Sequence, residues 1–201
     1  MAAVTTEHQV ANLALGIIGQ RQLIDSLNED STEAQLSKAY FASTRNELLE
    51  RWEWSFAKKR SVLALTTEER SGWGYCYVAP SDMMTPRRIW DGDRQPGAGG
   101  RIPFALELND AGTGLLICTD EVDAELVYTI EQSRVALWSA AFVRAVAAQL
   151  AVYLAGALPV KPELMPSLER SALLALQNAA ALDAAKAQRD PEADSEFIRE
   201  R

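Results

Sequence analysis

The sequence predicts an α+β fold: a four-helix bundle-like domain with an antiparallel β-sheet subdomain inserted into it. Three observations lead there. Apolar side chains recur at helical spacing from Thr6 to about Trp52, a period-two pattern broken by turn-rich segments fills Ser71 to Gln132, and two further helical segments close the chain. The expected division gives residues 1–65 and 133–190 to the bundle, 66–132 to the sheet subdomain and 191–201 to a charged tail.

Thr6 and Gln9 have the form of a capping box, and Val10, Leu13, Ala14, Ile17 and Ile18 then repeat until Gly19, which predicts a first helix over 6–18. Ser31 or Thr32 caps a second helix with Leu36, Tyr40, Thr44 and Leu48 as its inner stripe. Trp73, Tyr75 and Tyr77 alternate with Gly74, Cys76 and Val78, a strand with aromatic residues on one face. Further strands are expected at Arg87 to Trp90, Phe104 to Leu108, Leu115 to Cys118 and Leu126 to Ile130. No helical segment separates them to carry a parallel crossover, so an antiparallel meander is the economical topology. DGDRQPGAGG reads as a flexible hairpin.

Leu137 to Leu158 is apolar on nearly every face and must be surrounded, at the centre of a bundle or between neighbouring subunits. It is long enough to cross a bilayer, but its alanine content and the mid-segment Arg144 and Gln149 read as a core helix, and no membrane partner is expected. Pro159 ends it. Pro162 opens the last helix, striped by Leu164, Leu168, Ala172, Leu176 and Ala179 and fading near Lys186. The tail beyond carries one apolar pair, Phe197 and Ile198, expected to anchor on a partner.

Composition argues against most chemistry. With 28 acidic and 20 basic residues the net charge is −8, so the average surface potential repels phosphate. The single histidine, His8, and the two cysteines, Cys76 and Cys118, do not assemble a zinc site, and no Gly-x-Ser-x-Gly elbow is present for a serine nucleophile. Both cysteines read as buried strand residues, and a disulfide between them stays open at this level. Neither enzyme activity nor a cofactor or metal is expected. Two alternatives remain: a DNA-binding or packaging accessory, resting on the candidate basic patch Lys58, Lys59 and Arg60 beside Trp52, Trp54 and Phe56, and a polysaccharide-acting hydrolase, resting on abundant carboxylates and surface tryptophans alone. Trp52, Trp54, Phe56, Trp73, Tyr75 and Tyr77 are expected to form the core where bundle meets sheet.

One resemblance organises these residues. Leu15 to Gly19 has the form Leu-x-x-Ile-Gly and is followed by Ser26-Leu27. Tyr40, Arg45, Leu48-Leu49, Trp54, Phe56 and Ala57 then come in order, with Gly72 to Tyr77 and Pro80-Ser81-Asp82 downstream. This series is similar to the head-to-tail adaptors of short-tailed bacteriophages called tail tubular protein A, with Ser55 in place of the usual asparagine. The resemblance implies a virion structural protein, assembled in the host cytoplasm into a ring, usually a dodecamer. It implies contacts with the portal protein and the tail nozzle protein, tail fibres as a further contact, and DNA passing through the channel without specific binding. Phe142, Arg144, Phe197 and Ile198 are the expected subunit or portal contacts.

Overall fold

The computed structural model describes residues 4–90 and 101–186. Helix α1 (Glu7–Ile17) begins where the Gln9 side chain accepts hydrogen bonds from the Thr5 and Thr6 amides. It ends at Gly19, whose φ of 81° is a conformation only glycine adopts without strain. Its inner face is Val10, Ala11, Ala14, Leu15 and Ile18, whereas Leu13 and Ile17 of the expected stripe are exposed. The connector that follows is pinned by Asn12, whose side-chain amide pairs with both the N–H and the C=O of Ile24 at 2.9 and 2.8 Å. Ile24 is thereby held in the core.

Helix α2 (Thr32–Arg51) is capped by Ser31, which accepts from the Ala34 amide. Of the expected stripe Thr44 and Leu48 are buried, but Leu36 and Tyr40 are only half-buried, and the inner face is turned to take in Ala34, Ser37, Phe41, Arg45 and Leu49. A polar face turned inward is satisfied in part locally, Thr44 donating to the Tyr40 carbonyl.

After the turn at 52–57 come β1 (Lys58–Val62), β2 (Ala64–Leu65), β3 (Tyr75–Val78), β4 (Met83–Ile89), β5 (Phe104–Leu108), β6 (Leu115–Thr119) and β7 (Glu125–Ile130). All pairings are antiparallel, but the topology is not a meander. Two sheets form, ordered β1-β7-β4 and β2-β3-β6-β5. Strand β1 finds its partner at the far end of the strand region, with Lys58 opposite Thr129 and Val62 opposite Glu125. The two sheets share a core of Leu63, Tyr77, Ile89, Ile117, Ala124, Leu126 and Tyr128. Strand structure therefore starts N-terminal to the expected boundary at residue 66.

The chain returns through a 3-10 turn at Val135–Leu137 to helix α3 (Ala140–Ala157), then through a second at Pro162–Leu164 to α4 (Met165–Lys186). Helix α3 is long and apolar enough to cross a membrane by composition, but it is the centre of the chain's own bundle, packed by α1, α2 and α4. Its composition consequently gives no argument for association between subunits. On α4, Leu168, Ala172 and Ala179 are buried as expected and Leu176 is half-buried, while Leu164, expected on the same stripe, falls in the 3-10 turn before the helix and is exposed. The hairpin expected within 91–100 and the tail with Phe197 and Ile198 lie outside the described residues.

Candidate functional site

The bundle meets the sheets where the chain crosses between them, at 52–57 going out and around Glu131 coming back. Trp54 is the hub of this junction. Its indole is fully buried, donates to the Leu48 carbonyl at 2.8 Å, and meets Phe142 edge-on with ring centroids 4.7 Å apart. Phe56 and Trp138 flank Phe142 at 4.9 and 5.1 Å, and Phe41 stacks on Trp138. Edge-to-face arrangements of this kind add to the area they bury.

Polar groups fasten the same turn. Asp183 of α4, almost wholly buried, accepts from the Ser55 backbone N–H and from the Ser55 hydroxyl, each at 2.7 Å. Arg87 of β4 reaches the end of α2 and donates to the carbonyls of Leu49 and Trp52, supplying a cation where the helix leaves acceptors unpaired. Burial pushes its guanidinium below the ordinary value, the nearby Glu53 and Glu50 opposing that shift. Arg45, also buried, pairs with Glu7 of α1 and with Glu131 beyond β7, tying α1 and the returning crossing to α2.

The structure splits the expected aromatic junction. Trp54 and Phe56 belong to it, but Trp52 is 41% exposed and contributes its carbonyl instead of its ring. Trp73, Tyr75 and Tyr77 lie in the second sheet. Tyr77 is buried and donates to the Glu121 carbonyl, Tyr75 is partly exposed beside it, and Trp73 packs on the opposite face with the cysteines. The aromatic residues of that segment thus divide between two faces, because the strand begins only at Tyr75. Phe142, expected at a subunit or portal contact, is wholly buried in the junction, while Arg144 is exposed on α3.

The basic trio is not one patch. Strand geometry sends Lys58 and Arg60 to one face and Lys59 to the other. Each has a carboxylate: Lys58 with Glu53 at 3.3 Å, Lys59 with Asp82 at 2.6 Å, and Arg60 with Glu125 at 3.2 Å. Arg60 also lies over the Trp90 ring, 4.4 Å from its centroid. The Lys59 hydrogen bond holds Asp82 below the usual carboxylate range against desolvation, with help from the Tyr128 hydroxyl, and the same bond raises Lys59. These cations, on which the DNA-binding alternative rests, are therefore already engaged.

No cluster of three or more His, Cys, Asp or Glu suited to a metal ion occurs among the described residues. Two surface depressions, one beside Thr6, Glu7 and Arg134 and one between Pro80 and the β5–β6 turn, mix apolar walls with hydroxyl, amide and a few charged groups. No family model and no curated protein matches this chain.

What the surface does offer is apolar. Leu13, Ile17 and Leu23 stand 42%, 46% and 62% exposed on and just after α1, and Leu173, Leu174 and Leu182 stand 51%, 57% and 51% exposed on α4. Both helices pack on α3, and their contact with each other is at most marginal. Between Arg170 and Lys186 the outward face of α4 carries Ser171, Leu174, Asn178, Ala181, Leu182 and Ala185, without a charge.

Proposed function

We propose that this chain is a structural, non-enzymatic virion protein, a subunit of the head-to-tail adaptor ring of a short-tailed bacteriophage. It joins the portal protein to the tail nozzle and lines the DNA channel. The observation that carries the reading is the pair of separate apolar patches on α1 and α4. A ring is built from heterologous contacts, in which one face of a subunit meets a different face of the next, and two dissimilar apolar patches on one bundle are what such a contact needs. The occupant of each patch is thus the neighbouring copy of this chain.

The resemblance to tail tubular protein A supports the same reading from another side. Leu48, Leu49, Trp54, Phe56 and Ala57, and Arg45 beside them, which carry that resemblance, belong to one packed junction. The acidic balance suits a channel through which duplex DNA slides without being held. Native mass spectrometry and electron microscopy test the proposal, with the chain alone and with the portal protein encoded in the same genome. A closed ring that co-purifies with portal is expected. A chain that stays monomeric at every concentration and does not bind that portal overturns the reading.

A further inference from the structure

The second sheet holds two free thiols against each other. Cys76 of β3 and Cys118 of β6 are direct cross-strand partners, both buried, with their sulfur atoms 2.9 Å apart. The pair occupies a non-hydrogen-bonded position of the ladder. The Cys76 carbonyl accepts from the Thr66 amide on the side away from β6, whereas Ala79, three residues on, donates to the carbonyl of Leu115, the first residue of β6. At such positions facing Cα atoms come within about 4.5 Å, inside the span of about 4.4 to 6.8 Å that a disulfide bridges. No backbone movement is needed to bring the sulfurs into bonding distance.

We propose that Cys76 and Cys118 are a site of reversible oxidative cross-linking, which closes to an intrachain disulfide on exposure to a low-molecular-weight disulfide such as oxidised glutathione. The step balances as thiol–disulfide exchange. One cysteine, as thiolate, attacks a sulfur of the small disulfide, whose S–S bond breaks to release one thiol. The second cysteine, as thiolate, then attacks the mixed disulfide, forming the Sγ–Sγ bond and releasing the second small thiol. Two protein thiols are oxidised, the small disulfide is reduced, and the two cysteine protons end on the released thiols.

The surroundings set the rate. The segment Thr66 to Gly74 lies over the cysteine face, with Trp73 packed on the thiols and Arg70 bound to Glu68, Glu107, Asp110 and the Leu108 carbonyl. Burial, together with the Cys76 contact, pushes the Cys118 thiol up to about 12, so little thiolate forms while this cover is closed. Exchange therefore waits on opening of the cover, and the pair persists as thiols through brief exposure.

The inference does not depend on the adaptor reading. Its test is intact-mass analysis and non-reducing peptide mapping of the native chain after prolonged incubation with oxidised glutathione at 37 °C, beside the Cys76→Ser and Arg70→Ala variants. Loss of two hydrogens with a Cys76–Cys118 cross-linked peptide is expected. The oxidised form should melt higher by on the order of 5 °C, reversibly with dithiothreitol. Arg70→Ala should accelerate closure on the order of tenfold, and Cys76→Ser should not lose two hydrogens. An unchanged mass, a mixed disulfide that stops at one glutathione, or an oxidised form that melts below the thiol form overturns the proposal.

Discussion

Asp183 and Ser55, 128 positions apart, are joined by two hydrogen bonds of 2.7 Å, one from the Ser55 N–H and one from its hydroxyl. This carboxylate closes the turn that carries the chain from α2 into β1. Asp183→Ala removes the acceptor of both bonds, but the donors sit on the exposed Ser55 where water can replace it, and a loss of about 1–2 kcal/mol is expected, read as a lower urea midpoint at unchanged slope. Ser55→Ala removes only the hydroxyl bond and should cost about 1 kcal/mol. Equal losses for the two variants would mean that the backbone donor contributes nothing.

Asn12 carries the connector between α1 and α2 through a pair of hydrogen bonds to Ile24. In Asn12→Ala the Ile24 N–H and C=O lose their partners and the buried Ile24 side chain loses its anchor. Destabilisation of about 1–3 kcal/mol is expected, with faster amide exchange at Ile24 in hydrogen-exchange measurements. Asn12→Asp should be nearly as damaging, since a carboxylate cannot donate to the Ile24 carbonyl.

The Asp82–Lys59 pair gives the stability a pH dependence of known sign. The folded-state value of Asp82 is lowered, first by the Lys59 hydrogen bond, so its contribution is complete above the ordinary carboxylate value and is lost as pH falls through the lowered one. Lys59 is raised, so its contribution is lost only as pH climbs past its ordinary value into the strongly alkaline range. In Asp82→Asn the melting temperature should fall less steeply below about pH 4 than in the parent chain. Both groups are largely exposed, and the difference should shrink in high salt. Parallel pH profiles for the two proteins would remove the pair from the acid response.

The two apolar patches make a mixing experiment decisive. Leu13→Glu with Ile17→Glu disables the α1 patch, and Leu174→Glu with Leu182→Glu disables the α4 patch. All four side chains are exposed, so circular dichroism should stay unchanged. Each variant alone should lose ring assembly by at least about tenfold in apparent affinity. An equimolar mixture should stop at dimers, because only one intact α1 face and one intact α4 face remain to meet. Full rings from either variant would show that these patches are not the contact.

Much of the architecture is readable from local pattern. Phe104–Leu108 forms the strand that its turn-bounded apolar pattern predicts, and Leu168, Ala172 and Ala179 of α4 are buried as its stripe predicts. Strand β1 is not readable that way: Lys58, Lys59 and Arg60 show no apolar alternation, since their side chains pair with carboxylates from other elements instead of filling a core. The stripes of α1 and α2 are rotated for a related reason. Leu13 and Ile17 face outward and Ser37 and Arg45 inward, so apolar periodicity misses apolar side chains left in the open and polar ones, such as Arg45 with its two carboxylates, that are taken inside. Asp183 had a local signal. It continues the series Leu168, Ala172, Leu176 and Ala179, and a carboxylate on an inner stripe announces a hydrogen-bonding partner from another element. The identity of that partner, Ser55, is fixed only by the tertiary fold.

Strand β7 lies between β1 and β4, and this placement governs the order in which the chain can fold as it is made. When β1 leaves the ribosome, β7, its partner among the described residues, is still untranslated. At about 5–20 residues per second the wait lasts on the order of several seconds. Through that interval β1 and β4 have no ladder to join, and the cationic side chains of β1 discourage pairing with another nascent chain. Helix α3, the centre of the bundle, arrives only after β7, so sheet and bundle close late and nearly together. Non-local closure of this kind predicts slow folding for a chain of this size.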